Sequence, residues 1–315
     1  METSFTHVPV MCEEILSLLA PALNAPDSIM VDATLGLGGH SLAALTRFDS
    51  LTIIGIDRDP QALDMARATL SRFGDRVETH QATYDQIEEI LQGRRVEAVL
   101  FDLGLSSLQI DSKERGFAYA ADAPLSMRMD GNDSELTAAD VVNTYTAAEL
   151  EWIFRIYGDE KYARRIAQAI VSEREREPFS TSARLVDVIL SAVPVRDTRS
   201  GHPAKRPFQA IRMEVNQERA ILEKALPDAL NVLKVDGRMA VLSYHSGEDR
   251  LVKRVFSQAH TDHVPPGVPI VPQEHRAKFA LVTRGALKPS QEDAELNPRA
   301  KPARLRVITR IEEDK

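Results

Sequence analysis

Over its first hundred residues the chain repeats one pattern: a short apolar run rich in β-branched residues, then a helix-length stretch with apolar positions three and four apart. The runs are Ile29–Asp32, Leu51–Asp57, Val77–His80 and Val96–Asp102. Runs this short, mostly apolar in all but Val77–His80 and punctuated by helical stretches, predict strands of a parallel sheet buried on both faces with helices crossing between them. Three of the four close on an acid, Asp32, Asp57 and Asp102. In an open parallel sheet ligands bind outside the carboxyl ends of the strands, so the pattern gathers three carboxylates along a binding edge. A packed core has no need of them. A ligand that is polyhydroxylated and cationic does.

Past Asp102 the alternation stops. Leu103–Asp111 reads as a polar loop, and helical patterns follow at Ala138–Asn143, Ala147–Tyr157, Asp159–Glu175 and Ser182–Ala192. His202–Arg212 reads as a looped, proline-bounded stretch, and a long helix is expected from Val215 to Leu233. The strand pattern resumes only at Gly237–Tyr244, and Pro265–Pro272 is a proline-rich loop. The expected fold is therefore α/β, a doubly wound, Rossmann-like sheet with an inserted helical subdomain. Residues 1–110 and 214–315 make the cofactor-binding catalytic domain, and 111–213 make the substrate-recognition insert.

Between the first strand and its helix lies Ala33-Thr34-Leu35-Gly36-Leu37-Gly38-Gly39-His40. Glycines there allow positive φ and close approach of a ligand to the unpaired N–H groups of the helix start. A dinucleotide fingerprint would place glycine or alanine five residues after Gly36, where this chain has Ser41, which weakens an NAD-linked oxidoreductase reading. An acid four residues before a G-x-G-G turn instead looks like the first motif of S-adenosylmethionine-dependent methyltransferases. Asp57, 21 residues past Gly36, sits where a carboxylate takes ribose hydroxyls. That role alone suits either cofactor.

Composition narrows the class without choosing a substrate. At 315 residues and 43% hydrophobic content the chain can bury a full core, and its one cysteine, Cys12, fits a reducing compartment. No run approaches the ~18 apolar residues of a membrane span, and there is no basic, apolar leader, so the expectation is cytoplasmic with no membrane partner. The net charge of −8 conceals an asymmetry: residues 1–160 carry 11 basic and 27 acidic side chains, residues 161–315 carry 28 and 20. The second half is thus the expected phosphate-binding side, with Lys161, Arg164, Arg165, Lys205 and Arg206 as candidates and Phe208 either near a base or, the preferred reading, in the core.

The chain resembles the RsmH (MraW) family of bacterial small-subunit ribosomal RNA cytosine-N4 methyltransferases along nearly its full length. The resemblance rests on His7-Val8-Pro9-Val10, the Gly36–His40 turn, Asp57-Arg58-Asp59-Pro60, Phe101–Ser107 and Glu114-Arg115-Gly116-Phe117. It continues through Met127-Arg128-Met129-Asp130, Tyr157-Gly158-Asp159-Glu160, Phe208–Arg212, Ser243-Tyr244-His245-Ser246 and Asn297-Pro298-Arg299. It implies methyl transfer from S-adenosylmethionine to the N4 amine of a cytidine in the decoding, P-site region of 16S rRNA, within the small ribosomal subunit. It also implies cofactor contacts at Gly38, Gly39, His40, Asp57, Tyr84, Asp102 and Gln109. Leu108 stands where a proline is common and Gly247 where a leucine usually follows His-Ser. A homodimer is compatible with all of this, and a non-catalytic RNA-binding assembly factor on the same fold is the rival from outside the enzymes.

Cytosine N4 is a weak nucleophile and the sulfonium methyl is already activated, so the chemistry asks chiefly for alignment. Asp102 and His245 are the catalytic candidates, Asp102 as acceptor for the amine or partner of the sulfonium, His245 as a later proton acceptor or an ordinary helix-entry residue. With one cysteine and scattered histidines, a zinc site is not expected.

Overall fold

The computed structural model describes residues 9–120, 122–131, 136–194, 201–262, 272, 275–297 and 300–313. His7, Val8, Pro298, Arg299 and most of the proline-rich loop lie outside the described residues. Two compact units form, Leu105–Ala220 and the chain on either side of it.

The first unit is built on a seven-stranded sheet: β1 (Ile29–Asp32), β2 (Thr52–Asp57), β3 (Val77–Gln81), β4 (Val96–Asp102), β5 (Leu233–Ser243), β6 (Phe279–Leu281) and β7 (Arg304–Arg310). Their spatial order is β3-β2-β1-β4-β5-β7-β6, parallel from β3 to β5 and antiparallel where β7 joins β5 and β6. From β1 the chain winds outward to β2 and β3, then returns to add β4 on β1's other side. That reversal is a topological switch point, and it lies between the strands ending in Asp32 and Asp102.

The helices in chain order are α1 (Cys12–Leu23), α2 (Gly39–Arg47), α3 (Pro60–Leu70), α4 (Ile87–Leu91), α5 (Ser107–Asp111), α6 (Ala138–Thr144), α7 (Ala147–Ile156), α8 (Ala163–Arg174), α9 (Ser182–Ala192), α10 (Lys205–Val215), α11 (Glu218–Asn231), α12 (Ser246–Ala259) and α13 (Gln291–Leu296). One face of the sheet packs Met30, Ile53 and Leu100 against Leu16, Leu45 and Leu63 of α1, α2 and α3; the other packs Val31, Ile54, Val99 and Val241 against Leu91, Leu226 and Val252 of α4, α11 and α12. Burial on both faces is why these strands read as continuous apolar runs rather than alternating ones. The doubly wound α/β sheet with a helical insertion, expected from that pattern, is the fold observed. No helix among the described residues is long and apolar enough to cross a membrane.

The second unit has its own core, in which Phe154, Ile166, Ile170, Leu185, Ile189, Phe208 and Ile211 are buried together. Thr137 and Thr146 open α6 and α7 through capping boxes with Asp140 and Glu149, satisfying backbone N–H groups that helix starts leave unpaired. Asn216, buried in the break between α10 and α11, accepts from Met129 N at 2.9 Å and donates to Met127 O at 2.7 Å. It thereby pins the Met127–Met129 strap to the end of α10. Across the same break the Arg212 guanidinium grips Glu218 with two bonds of 2.7 and 2.8 Å.

Several sequence expectations are corrected. His202–Arg212 is mostly helix: α10 begins at Lys205 despite Pro207, which sits in the first turn where its missing N–H costs little. The polar loop after Asp102 contains α5, opened by a Ser106–Gln109 capping box. α8 starts at Ala163 rather than Asp159, because Asp159 takes a left-handed φ of 48°. α11 is shorter than Val215–Leu233, interrupted before Glu218 by Gln217 at φ 50°, and Leu233 already belongs to β5. The division of charge between the two halves of the sequence does not survive folding either. Leu105–Ala220 carries 16 basic and 18 acidic side chains and the other unit 23 and 29, so neither is basic as a whole.

Candidate active site

The binding edge of the sheet is assembled from the exits of β1, β2, β4 and β5. After Asp32 the chain turns through Gly36 and Gly38, both at positive φ (53° and 81°), and Gly38 caps α2. A Cβ on Gly39 would lie 2.8 Å from Pro9 Cγ, so only glycine lets the turn pack under the N-terminal segment. The result is a backbone cradle at the start of α2 with no side chain projecting from its three glycines.

Two of the three carboxylates hold that cradle. Asp57 Oδ2 accepts from Gly36 N at 2.7 Å and Oδ1 from Asp59 N at 2.9 Å, tying the turn to the end of β2. Asp59 in turn caps α3 by accepting from Gln61 N at 3.0 Å. Burial pushes the Asp57 carboxyl up to about 6, against the pull of those two backbone N–H groups. Each carboxylate oxygen has two lone-pair sites, so Asp57 keeps acceptor capacity for a pair of hydroxyls beyond the loop it already holds.

Asp32 is buried and spoken for: Oδ2 accepts from Ser41 Oγ at 2.7 Å and Oδ1 from Thr34 N at 3.3 Å. Burial raises its pKa above the ordinary carboxylate value. Ser41, the residue that spoils the dinucleotide fingerprint, is thus the hydroxyl that satisfies a buried acid.

Asp102 is partly open, with 26% of its side chain exposed. Its backbone N donates to Thr34 Oγ1 at 2.6 Å, and its Oδ1 accepts from the Tyr244 hydroxyl at 2.8 Å. On the other side His40 Nδ1 stands 3.6 Å from Oδ2. His40 Nε2 lies 3.1 Å from Val10 O, a group that can only accept, so that nitrogen carries a proton. Tyr244 is not among the site residues expected from the sequence; its signals there are its place just past the end of β5 and the Ser243-Tyr244-His245-Ser246 motif of the family resemblance.

His245 stands at the entry of α12. It caps α12, its Nδ1 accepting from Gly247 N at 3.2 Å and Glu248 N at 3.4 Å, while Nε2 lies 3.0 Å from Glu248 Oε1. Nδ1 is committed to the helix entry, whereas Nε2 lies beside the Glu248 carboxylate without a hydrogen bond among the described residues; Glu248 Oε2 closes the box by accepting from His245 N at 3.3 Å and also accepts from Tyr244 N at 2.8 Å. The ring thus caps the helix through Nδ1. Tyr84, in a short 3₁₀ turn after β3, sets its ring edge-on to Phe101 at 5.5 Å between centroids. Gln109 belongs to the second unit, where its Oε1 accepts from Ser106 N at 3.1 Å in the capping box of α5. Among the described residues no cluster of three histidine, cysteine or acidic side chains could hold a metal.

A carboxylate-rimmed glycine cradle at the switch point of a doubly wound sheet fits a nucleoside-bearing cofactor, and comparison with known proteins narrows it. The MraW methylase family matches residues 4–311. The chain belongs to that family. It is 53% identical over 309 residues to a protein of Nocardioides sp. named ribosomal RNA small subunit methyltransferase H, with 97% of each chain covered. It is 52% identical over 312 residues to a Streptomyces avermitilis protein of the same name, with 98% of each chain covered. Among solved structures it is similar to a rRNA methylase from Streptococcus thermophilus, at 13% identity and a TM-score of 0.44 over 98% of this chain and 100% of that one.

Proposed function

We propose that this methylase transfers the methyl group of S-adenosylmethionine to the N4 amine of a cytidine in the P-site region of 16S rRNA, acting on the small ribosomal subunit. The observation that carries the reading is the edge formed by Asp57, the Gly36–Gly39 turn and Asp102 in a member of a methylase family. The residues fit the cofactor. Gly38, Gly39 and His40 would hold it at the start of α2, Asp57 would take its ribose hydroxyls, Tyr84 would lie against the adenine, and Asp102 would hold the methionine end.

S-adenosylmethionine supplies an activated methyl on a cationic sulfur. The protein's part is alignment and electrostatics, since no strong base need act before N4 attacks. Asp102 is the carboxylate suited to the charge. Asp32 is buried against Ser41 and Asp57 is tied to the loop, whereas Asp102 is partly exposed and held at Oδ1 by Tyr244. A carboxylate fixed there stabilises the positive charge that passes to N4 during transfer. The leaving N4 proton then has Asp102 or solvent as acceptor.

The test is incubation with radiolabelled S-adenosylmethionine and small subunits from cells lacking this methylation. Label in 16S rRNA is the expected result. Binding of NADH with no response to S-adenosylmethionine would favour an oxidoreductase, and RNA binding without transfer would favour an assembly factor.

A further inference from the structure

The second unit carries an exposed aromatic and basic surface that the methyl-transfer site does not use. Trp152, the chain's single tryptophan, is 51% exposed on α7, and its ring meets Tyr157 edge-on with centroids 5.2 Å apart. An exposed aromatic standing alone is ordinary; one joined to a second aromatic beside a basic cluster makes a patch suited to binding. Five residues beyond Tyr157, Tyr162 has Lys161 Nζ 4.8 Å from its ring centroid and the Arg165 guanidinium at 5.9 Å.

Folding brings a second basic segment to the same place. Gln209 Nε2 donates to Tyr157 O at 3.0 Å and Arg206 Nη1 donates to Asp159 O at 3.0 Å, so the first turns of α10 are tied to the turn between α7 and α8. Lys205 and Arg206 are both exposed there, as are Lys161 and Arg165. Glu160 is buried and accepts from Tyr162 N at 2.8 Å, Glu151 is paired with Arg155, and Asp159 is the remaining exposed carboxylate of the turn.

We propose that Trp152 and Tyr157, with Lys161, Arg165, Lys205 and Arg206, form a docking surface for a single-stranded segment of substrate RNA, an assignment that rests on the RNA methylation proposed above. Unstacked bases bind by stacking on aromatic faces while lysine and arginine take the phosphates beside them. A duplex keeps its bases stacked on one another and cannot use the tryptophan. A second copy of the chain is the poorer occupant, because a two-fold interface would set four cations against the same four.

The single tryptophan makes the test direct. The full chain is titrated with a mixed-sequence single-stranded RNA and with the same strand annealed to its complement, following tryptophan emission and, in parallel, filter binding over a salt series. Quenching by the single strand and not by the duplex is expected. Trp152→Ala should weaken single-strand binding roughly 5- to 150-fold and Trp152→Phe far less. Lys161→Glu with Arg165→Glu should flatten the salt dependence. Single-strand binding that leaves emission unchanged and is indifferent to Trp152→Ala would overturn the proposal. So would emission that shifts with protein concentration alone as the chain self-associates in sedimentation. Methyl transfer measured on the same variants separates the two claims: transfer with an inert Trp152 refutes this surface alone, and Trp152-dependent RNA binding without any transfer refutes the activity alone.

Discussion

The Tyr244 hydroxyl donates to Asp102 Oδ1 at 2.8 Å, joining the exits of two neighbouring parallel strands, β5 and β4, that lie 142 residues apart in sequence. Burial and the adjacent carboxylate push the Tyr244 pKa well above its ordinary value, so it stays a donor at every working pH. Asp102 is therefore held in one orientation from one side by a neutral hydroxyl and faced from the other by His40.

Tyr244→Phe keeps the ring and removes the bond. A hydrogen bond to a charged group contributes about 1.5–3 kcal/mol, so methyl transfer should slow by roughly 10- to 150-fold in kcat. Cofactor KM and the melting temperature should change little, because the ring still fills its place. An equal rise in KM with kcat unchanged would show that Tyr244 serves binding instead.

Asp57→Ala removes both the ribose acceptor and the tie to Gly36. Calorimetry should show S-adenosylhomocysteine binding weakened by at least ~1.5–3 kcal/mol. Unchanged affinity would place the ribose elsewhere.

Asp57 also predicts a pH dependence. Its folded pKa is raised by burial to about 6, and its ionised form is the better acceptor for hydroxyls. Cofactor affinity should therefore climb as pH rises from 5 through 6 and level off near 7, with the slope lost in Asp57→Asn. For the free protein the sign is opposite. A carboxylate with a raised folded pKa gives stability that is present below its unfolded value near 4 and lost as pH rises through about 6. Affinity that is flat from pH 5 to 7 would separate Asp57 from the cofactor.

Asn216→Ala leaves Met129 N and Met127 O without their buried partner. Loss of about 1–3 kcal/mol of stability is expected in chemical denaturation, with the transition of the helical unit moving first. Asn216→Asp should rescue only the bond to Met129 N.

The sheet was legible because its strands are buried on both faces and so leave apolar runs that no other element produces. Asp32, Asp57 and Asp102 were legible for the same reason, each being the first polar residue after such a run. What the sequence hid depended on contacts between distant segments. Tyr244 looks like the end of a strand, and only the pairing of β4 with β5 brings it to Asp102. α10 was read as a loop because His202, Pro203 and Pro207 break its local pattern, yet Phe208 and Ile211 bury a full helical face in the second core. The apparent division of charge along the chain failed because the sheet unit takes strands from both halves. Tyr84 and Gln109 came from family resemblance alone, since a lone tyrosine in a turn and a glutamine in a polar stretch have no pattern of their own.

The most direct test of the methylation account is nucleoside mass spectrometry on 16S rRNA from small subunits incubated with this protein and methyl-deuterated S-adenosylmethionine. The account predicts deuterated N4-methylcytidine from the P-site region, abolished by Asp102→Ala and reduced by Tyr244→Phe. Label on another base or on ring carbon C5, or full labelling by Asp102→Ala, would contradict it.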